Sequence, residues 1–360
     1  MLSIDDLPDD DLLAIFDFCV VRYQDLDRRE VRDSDYDMIR EIESWKSLVH
    51  VCRRWRGLVF GSPRRLNLKF FFLPGISPRK TLDDWPALPL LIVGSVSELL
   101  VDNVIAELKH SDRIRRIDLE CYTAAQMKKK IWTAMQVPFP ELAFLYLSFE
   151  GLSDAPVLSD SFLGVSAPRL RFLCLDSIPF PGLPNLLSSA THLVKLYLLD
   201  IPLSGYISPE AMATCLSALT SLKSLRLGFN SPQFPPDLKG RRPLSPIRSV
   251  LPTLTIFRFN GTTKYLEDFV ARIDTPRLNW LSTGFFNDTP KLNQFISRTP
   301  TLGPYDEAHV FFSGQGALAR LRQSHPESSD PRVVEIEIAV SNAFKRGANL
   351  YLITAFPFNN

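Results

Sequence analysis

Apolar and polar positions follow two rhythms along this 360-residue chain, a helical one in the first sixty residues and a strand-like one after it. Residues 7–18 read LPDDDLLAIFDF. Pro8 suits the first turn of a helix, where its missing N–H has no partner to lose. Asp9, Asp10 and Asp11 then fall at the positive end of the helix dipole. Leu12, Ile15, Phe16 and Cys19 recur at i, i+3, i+4 and i+7, which predicts one apolar stripe. A second helix is predicted from about Ser34 to Phe60, because Met38, Ile42, Trp45, Val49 and Cys52 recur at steps of four and three, and Trp55 and Val59 continue them. Ser34 with Asp37 reads as its N-cap, and Gly61-Ser62-Pro63 ends it. Two such helices carry more apolar surface than they can bury on each other, which implies a further surface: the next domain or another protein.

From residue 62 onward a unit of the form apolar-x-x-apolar-x-apolar recurs, preceded by a polar residue or proline. It occurs at Val96/Leu99/Val101, Ile114/Ile117/Leu119, Leu142/Leu145/Leu147 and Leu170/Leu173/Leu175. It returns at Leu193/Leu196/Leu198, Leu222/Leu225/Leu227, Leu254/Phe257/Phe259 and Leu278/Leu281/Thr283, and Pro63/Leu66/Leu68 supplies a candidate opening strand. The last two apolar positions of each unit alternate as on a strand with one buried face. Helix-like stretches lie between them, as at 209–219, 264–273 and 290–297. One strand and one helix cannot close a core, whereas stacked units can. The expected fold is therefore α/β, a curved parallel sheet with outer helices over 62–300. After Thr301 the pattern fades. Alternation at Val334, Ile336 and Ile338, and a second stretch at 351–354, predict strands that cap the open end over 301–360, with the cap cut short by the chain end.

Composition narrows the chemistry. Forty-one Lys plus Arg balance forty Asp plus Glu, so the basic excess of a phosphate-neutralising nucleic-acid binder is missing. The local clusters Lys128-Lys129-Lys130 and Arg113/Arg115/Arg116 read as solvated faces or an import patch. The five cysteines (Cys19, Cys52, Cys121, Cys174, Cys215) are spaced widely and make no CxxC or Cys/His group for zinc. They read as reduced thiols, and the acidic start MLSIDDLPDDD lacks a signal peptide's basic region, so a cytoplasmic or nuclear location is expected. The most apolar stretch, 87–101, is broken by Pro89, Gly94 and Glu98 and is too short to span a bilayer. Gly314-Gln315-Gly316 lacks the lysine of a phosphate loop, and the five histidines are isolated, so neither a catalytic centre nor a cofactor is expected.

The N-terminal residues carry a more specific signal. Leu7-Pro8-x-x-x-Leu12-x-x-Ile15-Phe16, followed later by Trp45, Leu48, Val51-Cys52-Arg53-x-Trp55-Arg56 and Leu58, resembles the F-box motif. That resemblance spans about the first sixty residues (domain 1–61) and implies a small helical module docking on a Skp-type adaptor, and through it on a cullin ubiquitin ligase. Leu7, Pro8, Leu12, Ile15, Phe16, Leu48, Val51, Cys52 and Trp55 are implied to build the module and its docking face. A charged segment, 22–43, stands where the family has a short loop. The repeats average about 26 residues, inside the range of leucine-rich repeats, and resemble the degenerate ones that follow an F-box in fungal proteins. Only Asn230 stands where the family's repeat carries asparagine after the third leucine.

If the repeated leucines point into a core, the residues between them point away. That register places Phe144, Tyr146, Phe172, Tyr197, Arg226, Arg258 and Trp280 on one exposed face. Aromatics flanked by arginines have the composition of a binding hot spot, so these are the candidate target-binding residues. The sequence thus supports a non-enzymatic substrate adaptor of an SCF-type ubiquitin ligase that binds an unidentified target protein, with no metal, membrane or nucleic acid. A cullin-independent interaction scaffold, or an enzyme with a cryptic site in the irregular C-terminal part, remain the alternatives.

Overall fold

The computed structural model describes residues 7–19, 45–63, 88–149, 156–230, 248–285 and 292–302, short pieces at 4, 66, 68 and 70–72, and the backbone of strands at 307–313, 316–323 and 332–339. The insert at 22–43, the start of the second predicted helix and the stretch 351–354 lie outside the described residues. Contacts divide the chain into two units, Met1–Ser153 and Asp154–Asn360.

Unit 1 begins with α1 (Asp9–Cys19), α2 (Trp45–Val49) and α3 (Arg53–Gly61). The second predicted helix is therefore broken in its described part. Cys52 adopts extended backbone angles and its Sγ accepts the Trp55 N–H at 3.4 Å, so it caps α3 rather than continuing α2. The helix ends at Gly61, as the Gly-Ser-Pro signal predicts. Four parallel strands follow: β1 (Phe70–Phe72), β2 (Leu90–Val96), β3 (Ile114–Cys121) and β4 (Phe144–Phe149), each paired with the next. Parallel neighbours need crossovers, and α4 (Val101–Leu108) and α5 (Ala125–Ala134) supply two of them.

Two strand expectations fail here. The strand before α4 is Leu90–Val96, a run buried on both faces. Val96/Leu99/Val101 runs instead through a 3-10 turn into α4, with Leu99 92% exposed. Leu66 and Leu68 are buried but precede β1.

Unit 2 carries β5 (Phe172–Asp176), β6 (Lys195–Ile201), β7 (Ser224–Phe229), β9 (Ile256–Gly261) and β11 (Trp280–Phe285), parallel and in chain order. A separate two-stranded pair joins β8 (Ser249–Val250) to β10 (Ile273–Asp274). Crossovers run through α6 (Leu183–Ser189), α7 (Pro209–Leu216) and α8 (Thr263–Val270), and α9 (Asn293–Arg298) follows β11. Beyond it, β12 (Glu307–Ser313), β13 (Gly316–Gln323) and β14 (Arg332–Ala339) join the sheet out of order. The last of them lies parallel to β11 and antiparallel to β13. The strand at 332–339 matches the alternation at Val334, Ile336 and Ile338. The hairpin of β12 and β13 carries no comparable signal.

The core is a set of rows. Leu173, Leu196, Leu225, Phe257 and Leu281 are successive register partners, and all are 0% exposed. The row above runs Leu175, Leu198, Leu227, Phe259 and Thr283, so the threonine in the last unit keeps its predicted third place. Unit 1 repeats the arrangement with Ile92, Ile117 and Leu145. Each row buries its side chains against the returning helices, at about 1.5–3 kcal/mol per large aliphatic residue.

One local device recurs at six strand entries. The N–H of Leu142, Leu170, Leu193, Leu222, Leu254 and Leu278 donates in each case to the carbonyl three residues back, on Phe139, Ala167, Ala190, Leu219, Leu251 and Thr275. All twelve residues are buried. The first leucine of these six units thus closes a tight turn, which explains why it stands three residues from the strand's own core pair.

Candidate functional site

Two places collect the candidate residues. At the N-terminus, Leu12, Leu13 and Phe16 form the buried side of α1, and Leu48, Val49 and Trp45 that of α2. The buried stripe of α1 is thus turned from its predicted position: Leu13 replaces Ile15, and both Ile15 and Cys19 face solvent. Phe16 packs against Trp55 with ring centroids 4.7 Å apart, and Trp45 meets Phe60 edge-on at 6.2 Å. Two arginines outside the nine implied docking residues hold the pieces together. Arg54 donates to the Leu7 carbonyl at 2.6 Å and makes a two-pronged contact with Asp9 at 2.6 and 3.1 Å. Arg56 donates to the carbonyl of Val49, the last residue of α2.

The nine motif residues therefore separate by position. Leu12, Phe16 and Leu48 lie inside, and Leu7, Cys52 and Trp55 are half-buried. Pro8, Ile15 and Val51 are exposed, Val51 by 59%. Phe18, outside the motif, is 92% exposed.

The second place is the strand face opposite the leucine rows. Register partners there are Arg116 with Phe144 and Asp118 with Tyr146 in unit 1. In unit 2 they are Phe172 with Lys195, Cys174 with Tyr197, Tyr197 with Arg226, and Arg226 with Arg258. Trp280 lies beside Ile256. The face is less open than alternation alone suggests, since Phe144, Phe172 and Tyr197 are each buried. Cations and rings cover one another: the Arg116 guanidinium lies 3.7 Å from the Phe144 ring centre and that of Arg226 4.3 Å from Tyr197. Phe172 meets Tyr197 edge-on at 5.4 Å. Tyr146, Arg226 and Trp280 are half-exposed and Arg258 is exposed.

The two basic clusters are corrected in part. Arg116 is buried and pairs with Asp118 at 2.5 Å. Lys128 is also buried, standing first in the α5 stripe Lys128, Ile131, Trp132, which Met135 continues just past the helix end. Its Nζ sits 2.8 Å from the Phe149 ring centre, with no hydrogen-bond partner among the described residues. Burial pulls the Lys128 pKa below the usual lysine value, and burial pushes the nearby Cys121 thiol up to about 12. Cys215 is likewise raised by burial to about 11. No group of three metal-ligating side chains occurs among the described residues. Nor is any described helix long and apolar enough to cross a membrane.

The architecture defines the chain as an α/β protein with parallel strands joined through helices. Comparison with known protein families and with curated proteins finds no match for it.

Proposed function

We propose that the chain is a substrate-recognition adaptor of an SCF-type ubiquitin ligase. In this reading its N-terminal helices are an F-box that docks on a Skp-type adaptor. The strands form an irregular leucine-rich-repeat-like solenoid that holds a target protein. The observation that carries the reading is the sorting of the motif residues. Leu12, Phe16 and Leu48 lie inside, with Phe16 packed on Trp55, while the apolar Pro8, Ile15 and Val51 are each exposed. The turn repeated at six leucines, one per unit, supports the solenoid half. Catalysis by proximity follows: one end tethers, the other holds, and the transfer chemistry belongs to other subunits. Such a protein works in the cytoplasm or nucleus and needs no cofactor.

Co-purification of the full chain with a Skp-type adaptor tests this. Ile15→Asp places a charge on the exposed face without touching Phe16 or Trp55, and it is expected to abolish capture while leaving the thermal midpoint unchanged. Trp55→Ala loses the Phe16 contact as well and is expected to lower the midpoint. Failure of the intact protein to bind the adaptor refutes the reading and leaves a cullin-independent scaffold in its place.

A further inference from the structure

We propose that the strand-entry edge of unit 2 binds an acidic peptide whose carboxylates recur about every third residue. This edge is built by the turn that recurs at the leucines. Five of those turns, at 167–170, 190–193, 219–222, 251–254 and 275–278, lead in order into β5, β6, β7, β9 and β11. The residue after each leucine then extends the ladder by one step. Val194 and Lys195 donate to the Arg171 carbonyl, Lys223 to that of Val194, Thr255 to that of Lys223, and Asn279 to that of Thr255. The backbone therefore fixes Arg171 before β5, Lys223 before β7 and Arg277 before β11, at every second strand. Neighbouring strands lie about 4.8 Å apart, so these three positions recur at about 10 Å.

Charge is sorted by edge. The entry segments 167–171, 190–195, 219–223, 251–255 and 275–279 hold Arg169, Arg171, Lys195, Lys223 and Arg277 and no Asp or Glu. The exit segments 176–182 and 199–210 hold Asp176, Asp200 and Glu210 and no Lys or Arg. Such a separation steers an anion toward the entry edge. Asp274, just before the last turn, is matched by Arg298 at 3.6 Å. Two further arginines near this edge are engaged by the end of α8, Arg248 donating to the Ala271 carbonyl and Arg298 to that of Val270. Arg171, Lys195, Lys223 and Arg277 differ, having no ion pair or side-chain hydrogen bond among the described residues. Arg171, Lys223 and Arg277 are exposed and Lys195 is half-exposed. An extended peptide rises about 3.3 Å per residue, so every third side chain matches the 10 Å spacing. Duplex DNA carries a charge every ~1.7 Å of its axis, far denser than these cations. The five entry segments also contain no Phe, Tyr or Trp on which a base would stack. The edge thus favours a sparsely acidic peptide over a nucleic acid.

Fluorescence anisotropy on the full chain tests the proposal with three labelled dodecapeptides: repeated Glu-Ser-Ser, repeated Gln-Ser-Ser, and a block of Glu followed by Ser at the same charge as the first. The first is expected to bind, the second not to, and the block peptide to bind about fivefold more weakly than the first. Arg171→Gln, Lys223→Gln and Arg277→Gln are each expected to weaken the first peptide about three- to tenfold. Their thermal midpoints should not move, because the side chains are exposed and unpaired. Lys264→Gln removes the same charge from the first turn of α8, beyond the exit of β9, and is expected to leave the affinity unchanged. No binding of the first peptide overturns the proposal, as does equal binding of the glutamine or block peptide. Unchanged affinity in all three edge variants overturns it too, as does an equal loss in Lys264→Gln or equally tight binding of a single-stranded DNA dodecamer. Ile15→Asp is expected to leave peptide binding intact, so failure here with adaptor capture retained sinks this proposal alone.

Discussion

Lys128 stands where an apolar residue would complete the α5 stripe, and its ammonium is buried against the Phe149 ring. Desolvating that charge costs more than one cation–π contact returns. Lys128→Met is expected to stabilise the protein at neutral pH by about 1–3 kcal/mol. The sign with pH follows from the lowered pKa. Below the folded-state value both folded and unfolded chains hold the proton, so the cost is present in full. As pH rises from there toward 10.5, the folded chain sheds the proton first and the cost fades. The advantage of the methionine variant in urea unfolding should accordingly shrink from pH 7 toward pH 10. Cys121 acts oppositely: above pH 9 the unfolded chain ionises it while the folded chain keeps it neutral to about 12. Lys128→Met also removes the charge that lowers the Cys121 pKa, so the thiol enters the difference only above pH 9. A constant difference across the range would show that the ammonium is not what destabilises the site.

At the scale of elements, close approach replaces charge as the deciding effect. Gly205 ends a 3-10 turn after β6, and a Cβ there would meet the Pro179 Cα at 2.8 Å. Backbone cannot yield as a flexible side chain can, so Gly205→Ala is expected to cost about 1–3 kcal/mol, read as a lower midpoint in chemical denaturation. An unchanged midpoint would mean that the loop carrying Pro179 shifts freely. Elements of this kind were only partly legible in the sequence. The paired leucines located β3 to β7, β9 and β11, because a strand with one buried face leaves period two in its residues. The repeated turn three residues upstream was missed, since its other end is occupied by Phe139, Ala167, Ala190, Leu219, Leu251 and Thr275, with no shared residue type. Val96/Leu99/Val101 misled because β2 is buried on both faces and shows no alternation at all. Of the strand face, register located every residue, but period says nothing about how rings and guanidinium groups cover each other. The break at Cys52 was invisible for a similar reason: a cysteine cap has the same spacing as a cysteine in a stripe.

At the scale of the whole chain, the parallel strands from β5 to β11 arrive in sequence order, and the last addition breaks it. The outer edge of β11 is paired by β14, whereas β12 and β13 come earlier in the chain and sit farther out. A chain ended after Leu302 would present β11 as a flat, unguarded edge, which invites pairing with another copy. That truncation is expected to form oligomers by size exclusion and light scattering where the full chain does not; a monodisperse truncated protein would deny β14 this role. The order of arrival also sets a clock. During synthesis β11 is finished at Phe285, yet its neighbour is complete only at Ala339, about fifty residues later. At roughly 5–20 residues per second the growing chain spends about 3–10 seconds with that edge bare. The hairpin, though already translated, cannot dock until the strand after it has been made. On a ribosome crowded by its neighbours, those seconds are when a sister chain or a chaperone could reach the edge first.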